Sequence, residues 1–188
     1  MITDLKYYVS HYKQIMPKEL CERAMIELQS AEFEQHKFYN AKDNVKRDRS
    51  GDKELDVTFT DIPVKKEFMD RLWPILKRYV DELEMPWFNG WQGYSNIRFN
   101  KYNETRKMAL HADHIQSLFD GERKGIPILS ILGVLNADYE GGDFVLFDDY
   151  KIDFKQGDIV IFPSNFLYPH KVEPVTKGTR YSYISWVW

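Results

Sequence analysis

The chain has 188 residues, 43% of them hydrophobic, a formal net charge of −3 and a single cysteine. That length suits one compact domain with a core large enough to enclose a site. The near balance of 26 Lys and Arg against 29 Asp and Glu gives no electrostatic reason to expect nucleic acid as the partner. Cys21, being alone, excludes an internal disulfide and a thiolate metal cluster, and it fits a reducing cytoplasm.

Taken in chain order, Met1 to Val9 carries Asp4 and Lys6 and lacks the apolar stretch of a secretory signal, so a soluble, cytoplasmic protein is expected. Pro17 opens a helical pattern in which Leu20, Ala24, Leu28 and Ala31 recur every three or four residues. Lys42 to Lys53 is charged and without apolar anchors, which reads as a mobile loop, either solvated or closing over substrate as a lid. Leu55 to Thr60 alternates like a strand. From about Pro63 to Leu83 a second helix places Phe68, Leu72, Ile75, Leu76, Tyr79, Val80 and Leu83 on one face, with Pro74 set to bend it. No membrane partner is expected, because the longest apolar run, Ile126 to Ala137, is interrupted and far short of the ~20 residues that span a bilayer.

From Trp91 the rhythm changes to short extended segments: Gly93–Tyr102, Lys107–His111, Pro127–Asn136, Asp143–Phe147, Lys151–Phe154, Asp158–Phe162, His170–Val175 and Thr179–Trp188. Turns fall at Glu140-Gly141-Gly142, Gln156-Gly157-Asp158 and Lys177-Gly178. Helices first and strands after predict an α+β fold, with the strands forming a double-sheet jelly roll that encloses a pocket. The expected organisation is a single domain, 1–188, in which 1–90 supports a β core at 91–188.

His111-Ala112-Asp113 is the first chemical candidate, because side chains at i and i+2 on extended chain project to one side and can grip one ion. Alone the motif is a weak signal. It gains weight from His170, which follows the strand ending at Phe162-Pro163, and from Arg180, which begins the last strand. Two histidines and a carboxylate make a facial triad that leaves three positions of an octahedral iron open. A 2-oxo acid fills two of them and dioxygen the third. Arg180 shares a strand face with Ser182, Ile184, Trp186 and Trp188, and Tyr102 shares one with Arg98 and Asn100. If those faces are interior, the Arg180 guanidinium requires an anion, either the distal carboxylate of 2-oxoglutarate or a structural acid such as Asp158. Tyr102 either donates its hydroxyl to that carboxylate or packs through its ring, and Trp186 either lines the site or belongs to the core. His114 points away from the motif and is excluded as a ligand; His11 and His36 are expected at the surface.

In order and together, Arg98 through Tyr102, His111-Ala112-Asp113, Asn136 with Tyr139 through Phe144, Gly157-Asp158 through Phe162-Pro163, His170, and Gly178 through Arg180 to Trp186 resemble the double-stranded β-helix oxygenases that require iron(II) and 2-oxoglutarate. The likeness is specifically to their prolyl 4-hydroxylase-like branch. The resemblance implies a dioxygenase with iron on His111, Asp113 and His170, 2-oxoglutarate on Arg180 and Tyr102, molecular oxygen as co-reactant, and ascorbate. It implies helices buttressing the larger sheet, and a prolyl residue in a peptide or protein as substrate. Many prolyl 4-hydroxylases carry Lys where this chain has Arg180, which leaves the co-substrate assignment in place and loosens the prolyl one. The other substrate class is a free amino acid or small molecule. The rival from another class is a non-catalytic jelly roll that binds a metal or 2-oxo acid. Asp113 argues against halogenation, and the final strand lacks the arginine-rich pattern of nucleic-acid repair oxygenases.

Overall fold

The computed structural model describes residues 4–40, 45–47, 53–84, 93–113 and 127–188. After a short 3-10 turn (Leu5–Tyr8) the first half runs β1 (Ser10–Tyr12), α1 (Lys18–Leu28), β2 (Glu34–Gln35), β3 (Phe38–Asn40), β4 (Val45–Arg47), β5 (Asp56–Thr58) and α2 (Lys65–Glu82). The second half is β6 (Arg98–Tyr102), β7 (Met108–His111), β8 (Leu129–Val134), β9 (Tyr139–Gly141) and β10 (Phe144–Leu146). It continues with β11 (Tyr150–Ile152), β12 (Ile159–Pro163), β13 (His170–Val172), β14 (Val175–Gly178) and β15 (Arg180–Val187).

These strands build a large seven-stranded sheet in the order β1-β12-β8-β15-β6-β5-β2 and a smaller four-stranded sheet, β11-β10-β13-β7. Two further pairs, β14-β9 and β3-β4, complete the set among the described residues. Both helices pack on the outer face of the large sheet, as an α+β jelly roll requires.

Strand alternation sorts the core into two layers. In β12, Ile159 and Ile161 face the helices while Val160 and Phe162 face the small sheet. The helix layer gathers Leu20, Ala24 and Leu28 of α1 and Phe68, Leu72, Leu76 and Tyr79 of α2 against Ile97, Phe99, Tyr183 and Val187. Gly133 makes this layer possible, because it lies directly opposite Tyr183 and a Cβ there would run into the tyrosine ring. The start of α2 lacks a capping side chain of its own; Glu27 of α1 supplies one by accepting the Val64 N–H at 3.0 Å. The helix runs on through Pro74, which sits on its exposed face.

Several boundaries differ from the sequence expectation. Gly93–Tyr102 is a strand only from Arg98, with Tyr94 making a lone bridge to Val187. His170–Val175 divides into β13 and β14 around Pro174, which has no N–H for a ladder. Glu140 and Gly141, read as turn, belong to β9. Val45–Arg47 pairs with β3, and the remainder of the segment read as a loop or lid near 42–53 lies outside the described residues apart from Lys53.

The N-terminal segment docks through Asp158. This carboxylate accepts the His11 Nε2–H at 2.8 Å, the Gln14 N–H at 2.8 Å and the Lys155 N–H at 3.1 Å, holding β1 against β12. His11 is therefore a structural partner and not a surface residue; His36 is half-buried. Among the described residues, no helix is long and apolar enough to cross a membrane.

Candidate metal centre

His111 closes β7 and His170 opens β13, and the two are direct cross-strand partners. Their rings lie 4.3 Å apart between centroids. Asp113 stands two residues beyond His111, just past the strand end, and its Oδ1 is 3.3 Å from His111 Nε2 and 3.6 Å from His170 Nε2. One ligand atom from each residue lies within 4.8 Å of the others, so the three form a group able to hold one ion.

The surroundings prepare these atoms. His111 Nδ1 donates to the Ala109 carbonyl at 2.8 Å and His170 Nδ1 to the Tyr168 carbonyl at 3.0 Å. A carbonyl only accepts, so the ring proton sits on Nδ1 and the lone pair on Nε2. Burial, with the neighbouring His111 imidazole acting in the same direction, pushes the His170 imidazole down to about 4, keeping it neutral at physiological pH. Burial would raise the Asp113 carboxyl, but His170, His111 and Ser130 outweigh it and hold Asp113 well below the usual carboxylate range. Ser130 Oγ donates to Asp113 Oδ2 at 2.6 Å, fixing one oxygen and leaving Oδ1 toward the imidazoles. Phe162 and Phe144 wall the His170 ring at 5.0 and 5.6 Å between centroids.

Arg180 begins β15 on the inner face, 2% exposed. Its Nη1 donates to Ser182 Oγ at 3.0 Å, while its Nε is buried with no hydrogen-bond partner. Asp158 is not that partner, being occupied by His11 and two backbone amides. Tyr102 lies directly across from Arg180, its ring centroid 5.0 Å from Arg180 Cζ. Burial raises the Tyr102 phenol above its ordinary value, against the pull of both nearby arginines, so the hydroxyl stays a donor. Gly142 packs on Arg180 with a left-handed φ of +65°, and a Cβ there would come 2.8 Å from Arg180 Cδ. A cavity of about 140 Å³ reaches Arg180 beside Tyr139, Gly142, Phe144 and Phe154. A wider, open groove bounded by Lys53, Glu104 and Thr176 contains none of these groups and is set apart from the chemistry.

The structure thus brings together His111, Asp113 and His170, and separately pairs Arg180 with Tyr102. His114 lies outside the described residues. Sequence reading gave no role to Ser130, Gly142 or Arg98. The signal for Gly142 was the Gly141-Gly142 pair, and that for Arg98 was its place between Ile97 and Phe99 on the face of Tyr102.

A jelly roll with two histidines on paired strands, a carboxylate just past one of them, and a buried cation on the inner face of the large sheet defines a metal-binding double-stranded β-helix. Residues 97–188 match the family model of the 2OG-Fe(II) oxygenase superfamily. A PKHD-type hydroxylase of Idiomarina loihiensis is 36% identical over 96 residues, which is 50% of this chain and 42% of the relative. The chain thus spans less than half of that relative's length. A Pseudomonas putida prolyl-4-hydroxylase structure has a TM-score of 0.67 at 17% identity, covering 96% of this chain and 91% of that one. A Trichoplax adhaerens prolyl hydroxylase, solved with a hypoxia inducible factor oxygen degradation domain peptide, has a TM-score of 0.69 at 16% identity, covering 96% and 83%. Iron(II) and 2-oxoglutarate are the cofactor and co-substrate of this superfamily. The donor set fits the first, being two imidazoles that present Nε2 and one ionised carboxylate, and the orphaned Arg180 Nε–H fits the second.

Proposed function

We propose that the chain is an Fe(II)- and 2-oxoglutarate-dependent dioxygenase that hydroxylates an unactivated C–H bond, foremost that of a prolyl residue in a peptide or protein. The observation that carries this reading is the conjunction of the convergent triad with a buried guanidinium whose Nε–H is unsatisfied. In this reading His111, Asp113 and His170 hold the iron, Arg180 binds the distal carboxylate of 2-oxoglutarate, and Tyr102 donates a second hydrogen bond to it.

When bound, iron and 2-oxoglutarate supply the oxygen chemistry, in which one atom of dioxygen enters succinate with loss of carbon dioxide and the other becomes the product hydroxyl. The protein's own share is positioning and exclusion. The carbonyls of Ala109 and Tyr168 keep both imidazoles in the ligating tautomer, and Ser130 fixes the carboxylate. Phe144 and Phe162 keep water from the His170 side. Ser182 orients the Arg180 fork before any anion arrives.

The prolyl substrate is supported by the fold shared with prolyl hydroxylases, one of them holding a peptide. A cytoplasmic setting rests on the single unpaired cysteine, and an ascorbate requirement on the family resemblance. The chain is read as one domain, with 1–90 as support and 91–188 as catalytic core.

The test is anaerobic. Iron(II) and then 2-oxoglutarate are added to metal-free protein, and the weak visible charge-transfer band of the chelate is followed, with His170→Ala as control. A band in the wild type alone supports the reading. Its absence in folded wild-type protein overturns it in favour of a non-catalytic jelly roll.

A further inference from the structure

The inner face of the large sheet buries two arginines: Arg98 in β6 is 8% exposed and Arg180 in β15 is 2% exposed. A polar row joins them. Arg98 Nε donates to Asn100 Oδ1 at 3.0 Å, Asn100 Nδ2 donates to Ser182 Oγ at 3.4 Å, and Arg180 Nη1 donates to the same hydroxyl at 3.0 Å. Every one of these acceptors is neutral. Among the described residues neither guanidinium forms an ion pair with a carboxylate. Two buried positive charges therefore share one wall, and burying a guanidinium without an anion is costly.

A single carboxylate at Arg180 does not serve both. Arg180 lies across from Tyr102 and Arg98 across from Ile184, four residues further along β15. At ~3.3 Å per residue the two backbone positions are on the order of 13 Å apart. Arg98 belongs instead to the metal end of the wall. Its Cζ lies 5.1 Å from the Trp186 ring, and Trp186 is the cross-strand neighbour of Ser130, which binds Asp113. Asp113 forms no ion pair with Arg98; its Oδ1 lies toward the two histidines and its Oδ2 accepts from Ser130. Burial lowers the pKa of Arg98, against the pull of the Tyr102 phenol and the Asp113 carboxylate.

We propose that Arg98 is a second carboxylate-binding residue beside the metal centre, an inference that rests on the oxygenase reading above. Its terminal nitrogens carry no hydrogen bond to another described residue, and Trp186 and Asn100 fix its plane, so a two-pronged fork is held ready for a planar anion. Two sources present the same chemistry: the metal-end carboxylate of 2-oxoglutarate, or a carboxylate on the substrate, as in a free amino acid or a peptide C-terminus. The substrate class that the second source selects is an anionic one.

The experiment uses the full chain loaded with iron(II) under anaerobic conditions, as wild type, Arg98→Met and Arg98→Lys, with the chelate band as readout. The probes are 2-oxoglutarate, then L-proline, then a short peptide ending in free proline and its C-terminal amide. If 2-oxoglutarate binds Arg98→Met about tenfold more weakly or worse while iron affinity is unchanged, and Arg98→Lys recovers part of the loss, the anion is the co-substrate's. If 2-oxoglutarate stays within about twofold, but a wild-type preference for the free carboxylate over the amide disappears in Arg98→Met, the anion is the substrate's. The inference is overturned if 2-oxoglutarate binding stays within about twofold and no carboxylate preference is lost, including the case in which the wild type shows none. Should Arg98→Met fail to fold, Arg98→Lys and the wild-type carboxylate preference decide the matter by the same limits. A wild type without any chelate band sinks the oxygenase reading itself, whereas a normal band indifferent to Arg98 sinks this inference alone.

Discussion

The two faces of β6 and β15 come from the same few residues and serve opposite ends. Toward the helices, Phe99, Tyr183 and Val187 form a closed apolar layer with α1 and α2. Toward the small sheet, Arg98, Asn100, Tyr102, Arg180 and Ser182 form a buried polar wall, and the Arg180 Nε–H on it has no partner. The first face contributes stability through apolar burial. The second sacrifices some of it, an arrangement expected where a ligand completes the missing interactions. The division is not absolute, since the Tyr183 hydroxyl is buried among the helices without a partner and nothing in the structure explains it.

The sharpest separation of the two faces comes from His170→Ala, which is expected to abolish iron binding, a loss on the order of 100-fold or more by metal titration, while the melting curve of the metal-free protein stays cooperative. Phe68→Ala, on the helix layer, should do the reverse. It removes a fully buried ring packed 5.2 Å from that of Tyr183 and should cost about 3–5 kcal/mol in denaturant unfolding, with 2-oxoglutarate affinity unchanged in the folded fraction. If Phe68→Ala weakened co-substrate binding as much as folding, the two faces would not be separable.

Acid should act through the polar side. His170 is depressed from 6.5 to about 4 in the fold, so between those values the unfolded chain takes up a proton that the folded chain refuses. Stability of the metal-free protein is therefore intact above pH 6.5 and declines as pH falls toward 4, by up to about 3 kcal/mol from this residue. Urea titrations across that window check it, and His170→Ala should flatten the slope. Smaller again is Arg180→Ala, expected to weaken 2-oxoglutarate binding by about 2 kcal/mol, roughly 30-fold, with iron still bound. Unchanged co-substrate affinity would remove Arg180 from its role. Gly142→Ala should have the least effect. The added methyl meets Arg180 Cδ in a left-handed backbone position, and a loss of about 1 kcal/mol in co-substrate affinity is expected by the same titration.

Much of the site was readable because its logic is local. The alternation of β15 placed Arg180, Ser182 and Trp186 together, and the alternation of β6 placed Tyr102 with Arg98, before any partner strand was known. The helices announced themselves through the spacing of Leu20, Ala24 and Leu28 and of Phe68, Leu72, Leu76 and Tyr79. What stayed hidden depends on contacts between residues distant in sequence. That His11 would be claimed by Asp158 requires knowing that β1 lies on β12, and that Arg98 would lack an anion requires knowing every group facing it. The division of β13 from β14 was within reach, since Pro174 marks the break.

The bonds from Asp158 to His11 and Gln14 fasten a strand that shields the flank of β12. Removing residues 1–16 would leave the backbone groups that β12 turns toward β1, along Ile159 to Ile161, as an open row beside an apolar core. Such a row is a template for another chain, so the trimmed protein is expected to self-associate through β12 even with His111, Asp113 and His170 untouched. Asp158, through His11 and Gln14, thereby holds in place the strand that covers the β12 edge.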